Sequence, residues 1–98
     1  MAFFVAYMPI LKGGKMRVGV IGIVVKGDKN VSIEMQKLLN EYSDVIIGRM
    51  GVPRNGMSAI SLIVEGSVER ISALAGKLGK FPQLSVKSAL TSFGPDEN

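Results

Sequence analysis

The sequence predicts an α+β domain in which a four-stranded antiparallel sheet carries two helices on one face, in the order βαββαβ. Four runs rich in Val, Ile and Leu lack helical spacing, and two segments between them repeat apolar residues at intervals of three and four. A Pro-Arg-Asn-Gly stretch in the middle of the chain marks a hairpin.

RVGVIGIVVK, residues 17–26, is the first strand, and Lys26-Gly27-Asp28-Lys29-Asn30 breaks it. Val31, Met35, Leu38, Leu39 and Tyr42 then fall on one helical face, which predicts a first helix over 31–43 with Asn30 or Ser32 as its cap. DVIIGRMGVP, from Asp44, reads as the second strand, and MSAISLIVEG, Met57 to Gly66, as the third. Arg54-Asn55-Gly56 after Pro53 turns between them, because Asn and Gly tolerate positive φ and Pro cannot continue a ladder. Ser67 caps a second helix in which Val68, Ile71, Leu74, Ala75 and Leu78 share a face. Gly79, with Lys77 and Lys80, marks the carboxyl end of that helix. PQLSVKSALT is the final strand, and the polar SFGPDEN tail is expected to fray. This order is the split βαβ pattern of a ferredoxin-like fold, assigned to residues 16–92, with 93–98 as a flexible tail.

Residues 1–15 stand apart. Met1 to Leu11 are nearly all apolar, about half of the roughly 20 residues that span a bilayer, and they lack the flanks of a signal peptide. Lys12-Gly13-Gly14-Lys15 reads as a joint, so this extension is either an added start ahead of Met16 or a hydrophobic arm that packs on a partner. A membrane span is not expected.

A chain of 98 residues, 47% hydrophobic, has room for one core. With no Cys and no His it lacks disulfides, thiol nucleophiles, imidazole bases and the usual transition-metal ligands. No metal or cofactor is expected, and the missing Cys fits a reducing, cytoplasmic setting. Its serines have no histidine to activate them and its acids form no recognisable pair motif, so an enzyme is not expected. Net charge is +4, but the basic residues alternate with acids along the chain, which argues against a dedicated nucleic-acid face.

IIGRMG, at residues 46–51, has the look of a glycine-x-x-glycine loop that clamps a nucleic-acid backbone. Such a loop must enter a helix, yet Val52-Pro53-Arg54-Asn55-Gly56 follows. Pro costs about 3 kcal/mol and Gly about 1 kcal/mol inside a helix, and Asn-Gly prefers a turn. Direct nucleic-acid binding is therefore not expected. Gly48 and Gly51 instead belong within strand two, where a missing side chain permits a bulge or the close approach of another backbone.

Both alternating sets of strand one are apolar or Gly: Val18, Val20, Gly22 and Val24 on one side, Gly19, Ile21, Ile23 and Val25 on the other. A sheet with one wet face alternates polar with apolar residues. The free face is therefore expected to be covered by another subunit, or failing that by the amino-terminal arm.

The stretches RVGVIGIVVK, DVIIGRMGVP, ISLIVEG, ISALAGKLGK and LSVKSAL, in that order, resemble the small regulators of the iron-only hydrogenase system over about residues 17–90. That family is similar in fold to ACT domains and to the ligand-binding domain of the nickel-responsive regulator. The resemblance implies an ACT-like fold, assembly into dimers or tetramers, and a regulatory role. Nickel sensing is not implied, since the His and Cys of the nickel regulator are missing, as is a ribbon-helix-helix segment for DNA. Similarity to ACT domains also places a small-molecule or amino-acid-like effector near the loop between strand one and helix one. Gly27, Asp28 and Asn30 are the candidates there, with plain helix capping as the alternative. Arg49, a charge in an apolar strand, is the fourth candidate; it pairs either with Glu65 across the hairpin or with an anion between subunits. The function expected is ligand sensing or protein docking by a homo-oligomeric regulatory module. The alternative is a structural homo-oligomerisation domain that binds nothing small.

Overall fold

A computed structural model describes residues 16–27 and 29–94. The expectations for the amino-terminal extension, for Asp28 and for the last four residues of the tail lie outside that range. The elements run β1 (Met16–Lys26), α1 (Lys29–Glu41), β2 (Ile46–Arg54), β3 (Met57–Ser67), α2 (Val68–Gly79) and β4 (Leu84–Leu90). The strands form one sheet in the order β2-β3-β1-β4, with every neighbouring pair antiparallel.

One face of the sheet supplies Ile21, Ile23 and Val25 from β1 and Ile60, Leu62 and Val64 from β3 to the core. Helix α2 brings Ile71, Leu74 and Leu78, each almost fully buried, and α1 brings Met35, Leu38 and Leu39. The spacing of these residues places them on one side of each helix, so burying that side holds both helices to the sheet.

Several boundaries differ from expectation for local reasons. Helix α1 begins at Lys29, so Asn30 and Ser32 lie in its first turn and are not its cap. It ends at Glu41, because Tyr42 and Val45 enter a turn in which the Tyr42 N–H donates to the Leu39 carbonyl at 3.1 Å and the Val45 N–H to the Tyr42 carbonyl at 3.0 Å. Asp44 is therefore in the turn, and β2 starts two residues after it. The hairpin is a two-residue loop: Arg54 pairs with Met57, leaving Asn55 and Gly56. Gly56 has φ +71° and Asn55 does not take a positive φ, which is the pattern of a type II turn and not of the type I′ turn that needs both. The start of the tail is tied down, since the Val18 N–H donates to the Phe93 carbonyl at 3.3 Å and the Thr91 N–H to the Val18 carbonyl at 3.1 Å.

Ser67 does cap α2, its hydroxyl accepting from the Arg70 N–H at 3.1 Å. The expected irregularity in β2 is a register shift between Ile46 and Gly48. It flips the alternation of the strand, which decides where Arg49 sits.

Candidate functional site

Gly27 follows β1 with φ +140°, a conformation that favours glycine, and its N-terminal neighbour Lys26 donates its N–H to the Gln83 carbonyl at 2.9 Å. The turn thus leans on the segment that enters β4. A Cβ on Gly27 would lie 3.3 Å from the Gln83 Cγ. Asn30 is exposed on the first turn of α1.

Arg49 does not pair with Glu65. After the bulge, Arg49 lies opposite Leu62 on the helix side of the sheet, whereas Glu65 lies opposite Val18 on the other side. Its guanidinium Nη1 instead donates to Gln36 Oε1 of α1 at 3.0 Å. Gln36 is six residues, about 9 Å of helix, from Asn30. Gly27 and Asn30 therefore share one end of α1, while Arg49 is held farther along it. A depression of about 330 Å³ at the hairpin tip is lined by Pro53, Arg54 and Asn55, none of them a predicted ligand residue. Among the described residues no group of three or more Asp and Glu is placed to hold a metal ion.

The face turned away from the helices is the largest unspent feature. Val20, Met50, Val52, Met57 and Ile63 all project from it and keep between 38% and 47% of their surface exposed. Its register is regular: Gly48, Ile63, Val20 and Ala89 form one cross-strand row, Met50, Ser61, Gly22 and Lys87 the next, and Val52, Ala59, Val24 and Ser85 the third. Arg54, Met57 and Lys26 close one end of the face, and Glu65 stands beside Val18 at the other.

Arg70 is not among the candidates that the sequence offers. It clamps the turn after α1: its Nη2 donates to Asp44 Oδ1 at 2.8 Å and to the Glu41 carbonyl at 3.2 Å, and its Nε to Asp44 Oδ2 at 3.1 Å. The guanidinium also lies 4.2 Å from the centre of the buried Tyr42 ring, with Lys77 Nζ at 5.3 Å. Hydrogen bonding to Arg70 holds the Asp44 carboxyl below its usual range, against the opposing effect of partial burial. The signal was available only as Tyr42 closing one helical face and Arg70 opening the next helix.

The TM1266-like family, described as "Iron-only hydrogenase system regulator, putative", matches residues 17–88. The chain belongs to this family. Its fold is similar to that of the uncharacterized protein TM1266 from Thermotoga maritima, with 29% identity, a TM-score of 0.75, and coverage of 78% of this chain and 98% of that one. It is similar also to the ACT domain of GTP pyrophosphokinase from Chlorobium tepidum, at 14% identity and a TM-score of 0.67, over 76% of this chain and 100% of that one. The C-terminal domain of the MgtC protein from Mycobacterium tuberculosis aligns at 7% identity with a TM-score of 0.62, over 89% of this chain and 100% of that one. The last two show a common fold. No curated protein matches the chain. The ferredoxin-like, ACT-like architecture of this family member and its place among regulators agree with the expectation from sequence.

Proposed function

We propose that this member of the regulator family works without catalysis, as a homo-oligomeric module whose open sheet face is its assembly surface and whose β1–α1 turn receives a small effector. The observation that carries the proposal is the set of five large apolar side chains left part-exposed on one face. Full burial of such a side chain is worth roughly 1.5–3 kcal/mol, so covering the remaining two-fifths of five of them contributes roughly 3–6 kcal/mol per copy. For two copies that gain is of the same order as the ~4–15 kcal/mol cost of association. Dimerisation, or tetramerisation by pairs, is then within reach without any other ligand.

The effector part is supported by the exposed Gly27 and Asn30, which lie together at the amino end of α1, where the helix dipole suits a carboxylate. One observation favours the plainer alternative of an assembly domain without a small ligand: Arg49, the most obvious anion partner, is already engaged by Gln36. Native mass spectrometry separates the two. An oligomer that retains a small metabolite supports effector sensing, an oligomer that retains none supports the structural role, and a bare monomer sinks both. The system regulated is taken to be that of the iron-only hydrogenase, as the family description states.

A further inference from the structure

The charges on the open face are placed symmetrically about its middle row. On β3, Ser61 is four residues from Glu65 and four from Met57; on β1, Gly22 is four from Val18 and four from Lys26. Glu65 thus marks one end, and Lys26 and Arg54, which flank Met57 on the neighbouring strands, mark the other. Among the described residues none of these three side chains makes an ion pair. The middle row is low, with Ser61 and Gly22 at its centre, and a Cβ on Gly22 would meet only the Lys87 carbonyl oxygen, at 3.9 Å.

We infer that two copies of this chain pack face to face about a two-fold axis that crosses the strands along the Met50–Ser61–Gly22–Lys87 row, so that the strands of the two copies run in opposite directions. This inference rests on the proposed assembly through the open face and adds its geometry. Such an axis keeps each strand over its own counterpart and reverses the rows. Each Glu65 then lies over the partner's Met57, between the partner's Lys26 and the partner's Arg54. The offset of about 30° usual between packed sheets carries the carboxylate toward one of those two cations. A two-fold axis along the strands would instead gather both Glu65 carboxylates at one end and all four cations at the other, placing like charges together. The apolar rows interleave under either axis, so charge decides the orientation. Met50 meets the partner's Met50 across the axis, a soft apolar contact that adapts its shape. Lys87, in the same row, comes to face the partner's Lys87, but β4 is the edge strand, so both ammonium groups reach into water, where their repulsion is screened.

The chain has no Cys, so introduced thiols report positions without background. The test treats the full chain with a bis-maleimide whose spacer is about 10 Å, the separation of packed sheets. Ser61→Cys alone is expected to give a covalent dimer. Glu65→Cys alone is not, because its two copies lie about 27 Å apart along the strands; mixed with Met57→Cys, it is. Charge exchange supplies a second measurement: Glu65→Lys raises the dimer dissociation constant at least tenfold, and adding Lys26→Glu and Arg54→Glu restores it to within about threefold. A native dimer that shows neither the Ser61→Cys product nor the charge rescue overturns this geometry and leaves assembly standing. A chain that is monomeric by native mass overturns both.

Discussion

Adjacent residues of β1 meet opposite fates: Ile21 has no exposed surface, while Val20 keeps 41%. The same holds on β3, where Leu62 is fully buried and Ile63 is 38% exposed. Both sets are apolar, so composition does not separate them. The position of the two helices does, since α1 and α2 lie over only one face. Burial on that face is settled within one chain; the other face is the one for which we propose a second copy as cover. Substitutions on the two faces should therefore fail in different ways, one by unfolding and the other by dissociation.

The largest expected effect is on the helix side. Leu62→Ala removes a fully buried side chain and should cost about 2–5 kcal/mol of unfolding free energy, read by chemical denaturation. Its neighbour Ile63→Ser should weaken the oligomer while leaving each folded copy's helical signal in circular dichroism intact. Equal loss of fold from both would erase the distinction between the faces.

Glycines sharpen it next. A Cβ on Gly19 would lie 2.6 Å from the Ala89 carbonyl oxygen, a backbone atom, and Gly19→Ala should cost about 1–3 kcal/mol by forcing β1 and β4 apart. Gly22→Ala, three residues along on the open face, meets space and should leave the fold unchanged. Comparable melting temperatures for the two variants would contradict this assignment of close packing.

The smallest effect concerns the Arg70 clamp. Asp44 is about half exposed, so Asp44→Asn should cost no more than about 1 kcal/mol at neutral pH. The folded-state pKa of Asp44 lies below the ordinary 3.8, so its stabilisation is present above that pH and is lost as the pH falls through the lowered value. Acid titration of stability should therefore bring wild type and Asp44→Asn together below pH 3.8, and a gap that widens there would contradict the clamp.

The sequence made the fold legible because each element carried its own local signal: runs of Val, Ile and Leu without helical spacing in β1 and β3, helical spacing through Leu74 and Leu78, and the Ser67 cap. Its failures share a cause. The side chosen by Arg49 depends on the shift of register between Ile46 and Gly48, and a one-residue slip reverses every side chain after it. Counting residues does not find that slip, so of the two expected partners of Arg49 the cross-strand Glu65 is on the wrong face, and the guanidinium bonds Gln36, 13 residues earlier on a helix. The Arg70–Asp44 pair spans 26 residues and two elements, and no short motif announces it. The open apolar face, in contrast, was visible as the second apolar set of β1, because strand periodicity alone assigns residues to faces.

The mass of the native chain in solution tests most directly whether that face is an assembly surface. At micromolar concentration the wild type should have at least twice the 10.5 kDa of one copy, and a Val20→Lys, Ile63→Lys variant should run as a folded species of single-copy mass. A wild type that is monomeric, folded and soluble at that concentration, with the same mass as the variant, would contradict assembly through the open face.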